Sequence, residues 1–338
     1  MARKSRIDAP GALHHIIVRG IDRQSIFMDS QDCQNFIERL GKILTDASTA
    51  CYAWALMANH VHLLIRTGMV PVSAVMRRLL TGYAQQFNRR HSRCGVLFQN
   101  RYKSFLCEEE PYLLELVRYI HLNPVRAGIV QDLKALKTYS RCGHAVLMGR
   151  MDHDWQDTHY ILKRFGDSVK SARRAYAAFV SRGISEGRRP DLVGGGLLRS
   201  VGGWSALKAI RAAGMGVMGD ERILGSSDFV ETVLKKANEH YERRAQFRAK
   251  GLDLEVIIDA VSGYFGVKRD EIMGQSRPRE VVRSRAVISI VAMDKMGFSG
   301  AEVARALNLT PSAVSKLIGR ARSAPDLMND VNGVLNRL

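Results

Sequence analysis

The hydrophobic pattern along this chain switches between two periods. His14 to Arg19 is a short apolar run that reads as a strand. From Gln31 to Leu44 apolar residues return every three or four positions, the spacing of an amphipathic helix. The stretch from Tyr52 to Ile65 is apolar and rich in strand-forming residues, and it reads as one β-strand. Helical spacing resumes from about Val72 to Arg90 and from Pro111 to Leu122, where Leu113, Leu116, Val117 and Ile120 share a face. Pro124 stops this last helix or marks its final turn, because proline has no N–H and crowds the turn before it. Elements in this order predict an α+β domain with a small antiparallel sheet backed by helices.

The second half of the chain reads as helical. Asp157 to Phe165 and Ser171 to Arg182 have helical spacing with basic faces. A Gly-rich stretch follows, and Gly214, Gly216 and Gly219 match Gly-x-Gly-x-x-Gly formally. No apolar strand precedes that motif and no ribose-binding acid follows it, so a dinucleotide site is not expected. Helices return at Leu254 to Val261 and at Arg283 to Met296. Ser299 to Leu307 then gives a helix, Asn308 to Thr310 a turn, and Pro311 to Arg320 a second helix. Thr310 suits an N-cap and Pro311 the first helical position. This is helix-turn-helix spacing, in which the second helix would enter a major groove and Ser312, Ser315, Lys316 and Arg320 would face DNA. The plainer reading is a helical hairpin that only packs or dimerises. The expected organisation is a catalytic domain over 1–150, a helical and Gly-rich bridge over 151–250, and a helix-turn-helix domain over 251–325.

Two clusters carry candidate chemistry. On a strand, His60 and His62 point to one face while Val61, Leu63 and Ile65 point to the other. Two adjacent imidazoles are most of a divalent-metal site, or else two histidines satisfied by backbone carbonyls. On the later helix Tyr119 and Asn123 are four apart and share a face. A phenol one turn from an amide can be a nucleophile beside a third ligand, or a core aromatic followed by a helix C-cap. His121 projects about 200° away from Tyr119 and is a poor candidate for contact with it. His14 and His15 face opposite ways, so at most one could join the site, and neither is assigned to it.

Three blocks settle how these clusters are read: Leu56 to Leu64, containing Asn59-His60-Val61-His62; Leu97 to Ser104; and Tyr119-Ile120-His121-Leu122-Asn123-Pro124-Val125-Arg126-Ala127-Gly128. With Arg19 to Phe27 they resemble the HUH single-tyrosine transposases, in particular the branch associated with REP repeats, over about residues 8–150. Ala58 stands where that family usually has Pro, and Ile21 where many members have Asn; neither change removes a catalytic group. The resemblance implies an HUH, ferredoxin-like catalytic domain that cleaves and rejoins single-stranded DNA. Tyr119 would be the nucleophile, forming a 5′-phosphotyrosine. His60, His62 and Asn123 would hold Mg²⁺ or Mn²⁺. It also implies repeat hairpins as substrate and admits a homodimer. The carboxy-terminal helices resemble the DNA-binding domain of the bacterial chromosomal replication initiator, which implies a duplex partner. The alternative is a DNA-binding regulator of repeat elements with an idle nuclease core.

Charge agrees with a nucleic-acid partner. The formal net charge is +18 and the sequence pI about 10.0. Between Arg77 and Lys103 basic residues occur with no Asp or Glu, interleaved with Tyr83, Phe87, Phe98 and Tyr102. Basic residues among aromatics suit single strands. Arg89, Arg90, Arg101 and Lys103 are the expected DNA contacts, and Phe87 and Phe98 the expected core residues. The five cysteines show no Cys-x-x-Cys and fit reduced thiols in a cytoplasm, on a nucleoid-associated protein. No apolar run approaches the roughly 20 residues that span a membrane, and no signal-peptide core follows the basic start.

Overall fold

The computed structural model describes residues 7–187, 189, 192, 220, 222–235, 251–274, 278–322 and 325–338. It divides into two compact units, Met1–Thr232 and Val233–Leu338.

The first unit is α+β. Its strands are β1 (Leu13–Arg19), β2 (Ala50–Met57), β3 (His60–Arg66), β4 (Lys103–Cys107) and β5 (Ile223–Leu224), in the order β2-β3-β1-β4-β5. The first four pair antiparallel. The short β5 is parallel to β4, an edge that the antiparallel expectation did not contain. The apolar run read as one strand is in fact a hairpin. Ala58 and Asn59 form its turn, and two residues without Gly or Pro leave almost no gap in an apolar pattern. Both flanking strands are buried on both faces, which also removes the alternation that would have separated them.

Each sheet face has its own core. Ile16, Val18, Val61, Leu63 and Ile65 pack against α1 (Ser30–Asp46) and α2 (Val72–Arg90) through Phe36, Leu40, Val75 and Leu79. Leu13, Ile17, Ala53, Ala55 and Leu64 face the opposite way, against Leu113, Leu116, Val117 and Ile120 of α3 (Glu109–Arg126). Burying one such side chain stabilises by about 1.5–3 kcal/mol, so a one-residue slip of β3, which would exchange its two faces, is strongly disfavoured. Pro124 lies in the last turn of α3, and the helix continues two residues past it.

Short helices α4 (Leu133–Leu136), α5 (His144–Leu147) and α6 (Thr158–Leu162), then α7 (Val169–Arg182), complete the second core. Ile161, Tyr176 and Val180 are buried in it, so these residues past 150 are part of the first unit's core where the sequence suggested a bridge. The Gly-rich motif at Gly214–Gly219 lies outside the described residues.

The second unit is helical: α8 (Leu254–Phe265), α9 (Arg269–Met273), α10 (Arg279–Ile290), α11 (Gly300–Ala306), α12 (Pro311–Arg322) and α13 (Pro325–Leu335). The long helix expected to reach Met296 changes at Ile290 into a π-helical turn, Val291–Lys295. Arg285 is buried and donates to the carbonyls of Glu271, Ile272 and Gly274, closing the end of α9. Ser299 caps α11 in a capping box with Glu302. Asn308, in the left-handed region at φ 52°, turns the chain, and Thr310 Oγ1 accepts from Ala313 N at 3.1 Å as the N-cap of α12.

Candidate active site

Strand register builds the site. β1 runs beside β3 with Ile17 opposite His62 and Arg19 opposite His60, so all four share the face that α3 covers. The ring centroids of His60 and His62 are 5.1 Å apart. Tyr119, half-buried on α3, lies with its ring 5.8 Å from that of His62 and 6.0 Å from that of His15. His60, His62 and Tyr119 therefore come together.

The tautomers of both histidines follow from their neighbours. Asn59 Nδ2 donates to the Arg23 carbonyl at 3.0 Å, which turns its Oδ1 toward His60 Nδ1 at 2.7 Å. An oxygen there can only accept, so His60 carries its proton on Nδ1 and keeps a lone pair on Nε2. A longer relay does the same for His62. The Leu192 carbonyl accepts from His15 Nδ1 at 3.3 Å, which leaves His15 Nε2 a lone pair. That atom is 3.0 Å from His62 Nδ1, which must donate, and His62 Nε2 is again the free lone pair. Burial pushes His60 and His15 down to about 4 and His62 well below its ordinary value, and Arg19 adds to the effect at His60 and His62. Neutral imidazoles with Nδ1 held by a second group are the form that ligates metal.

Asn123 is not a helix cap. It lies inside α3, where its backbone carbonyl accepts from Ala127 N, and its buried side-chain Nδ2 has no hydrogen-bond partner among the described residues. Amide oxygen and nitrogen are interchangeable in shape, so a cation beside Asn123 would turn the carbonyl to the position where Nδ2 is orphaned. His121 lies behind the site. Its Nδ1 is 2.7 Å from the Tyr176 hydroxyl, which is also 2.9 Å from His144 Nδ1.

Three neighbours of the site were not assigned to it from sequence. His15 enters through the relay to His62. Arg19, exposed at the end of β1, enters by standing opposite His60. Arg126 has its guanidinium carbon 5.8 Å from the Tyr119 ring centroid and donates to the Gly183 carbonyl at 3.0 Å. Its buried Nε and Nη1 have no hydrogen-bond partners among the described residues. Arg126 is seven residues, two helical turns, beyond Tyr119, and that spacing was a usable signal.

The expected DNA contacts separate into different environments. Lys103 is exposed and in register with Ile17 on the site's face. Arg89 and Arg101 are exposed. Arg90 is bound within the protein, with Nη2 2.5 Å from Asp29 and Nη1 2.6 Å from Asp32. That pairing holds the Asp29 carboxyl down to about 2. Asp29, Asp32 and His91 have ligand atoms within 4.8 Å of one another, but the Arg90 guanidinium already supplies the positive charge there. Tyr83 and Phe87 are core residues, each 1% exposed, so they offer no stacking surface for bases. In the second unit Lys316 is exposed and Ser315 Oγ donates to the Pro311 carbonyl of its own helix. Ser312 is half-buried, and the Arg320 side chain lies outside the described residues.

Residues 10–123 match the family model described as transposase, IS200-like. That match spans about a third of the chain. Among solved structures the chain is similar to a REP-associated tyrosine transposase bound to a REP hairpin, with 20% identity, a TM-score of 0.36, and coverage of 46% of this chain and 91% of that one. No curated protein matches. No helix among the described residues is long and apolar enough to cross a membrane.

Proposed function

We propose that the first unit is a tyrosine transposase acting on single-stranded DNA, with Tyr119 as nucleophile and His60, His62 and Asn123 as the holders of Mg²⁺ or Mn²⁺. One observation carries the reading. The two free Nε2 lone pairs and the Tyr119 ring share one face of the sheet, and the orphaned Asn123 amide lies one turn beyond Tyr119 on α3. The match of residues 10–123 to IS200-like transposases supports the same chemistry.

When bound, the divalent ion would act as a Lewis acid on the scissile phosphate and neutralise charge as the phosphorane forms. The chain's own groups do the rest. Asn59 and the relay from His15 hold the imidazoles in orientation, so binding a phosphate costs no rearrangement of the ligands. The Tyr119 oxygen attacks phosphorus and forms the O–P bond. The bond from phosphorus to the 3′-oxygen breaks, the phenol's proton is lost, and the departing 3′-oxygen gains one. The phosphodiester is conserved in the 5′-phosphotyrosine, and the reverse attack by a 3′-hydroxyl rejoins strands without ATP. Arg19 and Lys103, on the site's face, are placed to meet the incoming backbone.

Repeat hairpins would be the substrate, and the second unit would hold neighbouring duplex through α12. A cytoplasmic, nucleoid-associated location and a homodimer both accord with this reading. The deciding experiment is a denaturing gel with labelled oligonucleotides from repeats flanking the gene, in Mn²⁺. Wild type should form a covalent protein–DNA band and Tyr119→Phe should bind but form none. Binding without any band in wild type would favour a DNA-binding regulator.

A further inference from the structure

A second charged feature lies on the other side of the sheet. α1 and α2, which cover the face opposite Tyr119, leave between them an open groove of about 790 Å³. Arg39 and Lys42, one turn apart on α1, line it with Arg77 and Arg78 of α2. Glu38 is the acidic residue among its lining residues. Arg78 pairs with Asp46 at 3.0 Å, but among the described residues Lys42 and Arg77 have no ion-pair partner, and both are exposed.

Arg39 is held in place rather than waving in solvent. Its Nη2 donates to Gln86 Oε1 at 3.1 Å, and its guanidinium lies over Gly82 so closely that a Cβ there would collide with Nη1. Among the described residues its buried Nε has no hydrogen-bond partner. A guanidinium fixed at the groove wall can pair with an anion without further ordering of its own side chain.

We propose that this groove binds the sugar–phosphate backbone of duplex DNA, as a surface separate from the cleavage site. The choice of duplex follows from the lining. Single-strand grooves combine basic residues with aromatic platforms for unstacked bases. None of the residues lining this groove is aromatic. Fixed and mobile cations without a stacking surface suit phosphates whose bases stay paired inside a helix, and they position the duplex without reading its sequence. A hairpin stem or the flank of a repeat would then be gripped on the far face while its single-stranded foot reaches Tyr119. This last step rests on the proposed function; the groove itself does not.

The test uses the full chain carrying Tyr119→Phe, so that no cleavage intrudes, and a fluorescein-labelled duplex of about 20 base pairs, roughly two helical turns. Anisotropy titrations over a salt series compare that chain with a version also bearing Arg39→Gln, Lys42→Gln and Arg77→Gln. A control removes the same charge elsewhere, at Lys163, Lys170 and Arg174. The groove variant should bind roughly tenfold more weakly and lower the slope of log K against log salt by about 2–3, near 0.9 for each phosphate no longer neutralised. The control should change far less, and binding of oligo-dT should be unaffected by the groove changes. Gly82→Ala, which displaces Arg39, should reproduce part of the effect with no change of charge. Equal weakening in groove variant and control, or unchanged duplex affinity and slope, would overturn the proposal. Should the triple variant fold poorly by circular dichroism, the exposed pair Lys42→Gln and Arg77→Gln decides alone, with a slope change of about 2 expected. Adduct formation by wild type is scored separately, so failure of the transposase reading and failure of the groove are different results.

Discussion

At the scale of single residues, the site depends on which nitrogen of each histidine holds the proton. The relay from the Leu192 carbonyl through His15 to His62 makes His15 a positioning residue for the proposed metal ligand. His15→Ala should weaken Mn²⁺ affinity about 10–100-fold by calorimetric titration, the usual effect of losing an outer-shell partner. An unchanged affinity would show that His62 needs no orienting group. A second residue-scale expectation concerns pH. Burial, with a smaller effect of Lys137, pushes His144 from 6.5 down to about 4. The unfolded chain therefore takes up this proton near pH 6.5 and the folded chain only near 4. Stability from His144 is whole above about 6.5 and is lost as pH falls toward 4. The loss is on the order of 3 kcal/mol, at about 1.4 kcal/mol per tenfold. Urea titrations across that window should show His144→Gln with a flatter pH dependence than wild type; parallel curves would refute the assignment.

At the scale of elements, α3 carries both Tyr119 and Asn123, and it is held from behind. The Tyr176 hydroxyl of α7 bridges His121 on α3 and His144 on α5, all three fully or nearly buried. A hydroxyl donates once and accepts once here, so one imidazole is the donor and the other the acceptor. Tyr176→Phe leaves two buried nitrogens unsatisfied and should cost about 1–3 kcal/mol of stability, measured by denaturant unfolding. A cost near zero would mean that packing alone holds α3. Helices α1, α2 and α3 were legible from sequence, because each keeps a sustained 3.6-residue stripe. The β2–β3 hairpin was not, because its turn is two residues long and both strands are buried on both faces. The parallel strand β5 was equally hidden: two residues carry no periodicity.

At the scale of the whole molecule, the chain has two compact units, and the proposed activities divide between them. Deleting residues 250–338 should weaken duplex binding while sparing cleavage of a short oligonucleotide. Loss of both, in a truncated chain that still folds, would place the carboxy-terminal helices in the function proposed for the first unit. Sequence alone determined that His60 and His62 share a strand face and that Tyr119 and Asn123 share a helix face, because both relations are set by the local repeat of the backbone. It determined the N-cap at Thr310 for the same reason. Tertiary structure alone decided that those two faces meet and that His15 rather than His14 joins them. It also decided that Arg90 is taken up by Asp29 and Asp32, that Tyr83 and Phe87 are core, and that α6 and α7 complete the first unit. Each of these joins residues far apart in the chain. Such pairings depend on strand register and on which helix covers which face of the sheet, and no local period encodes either.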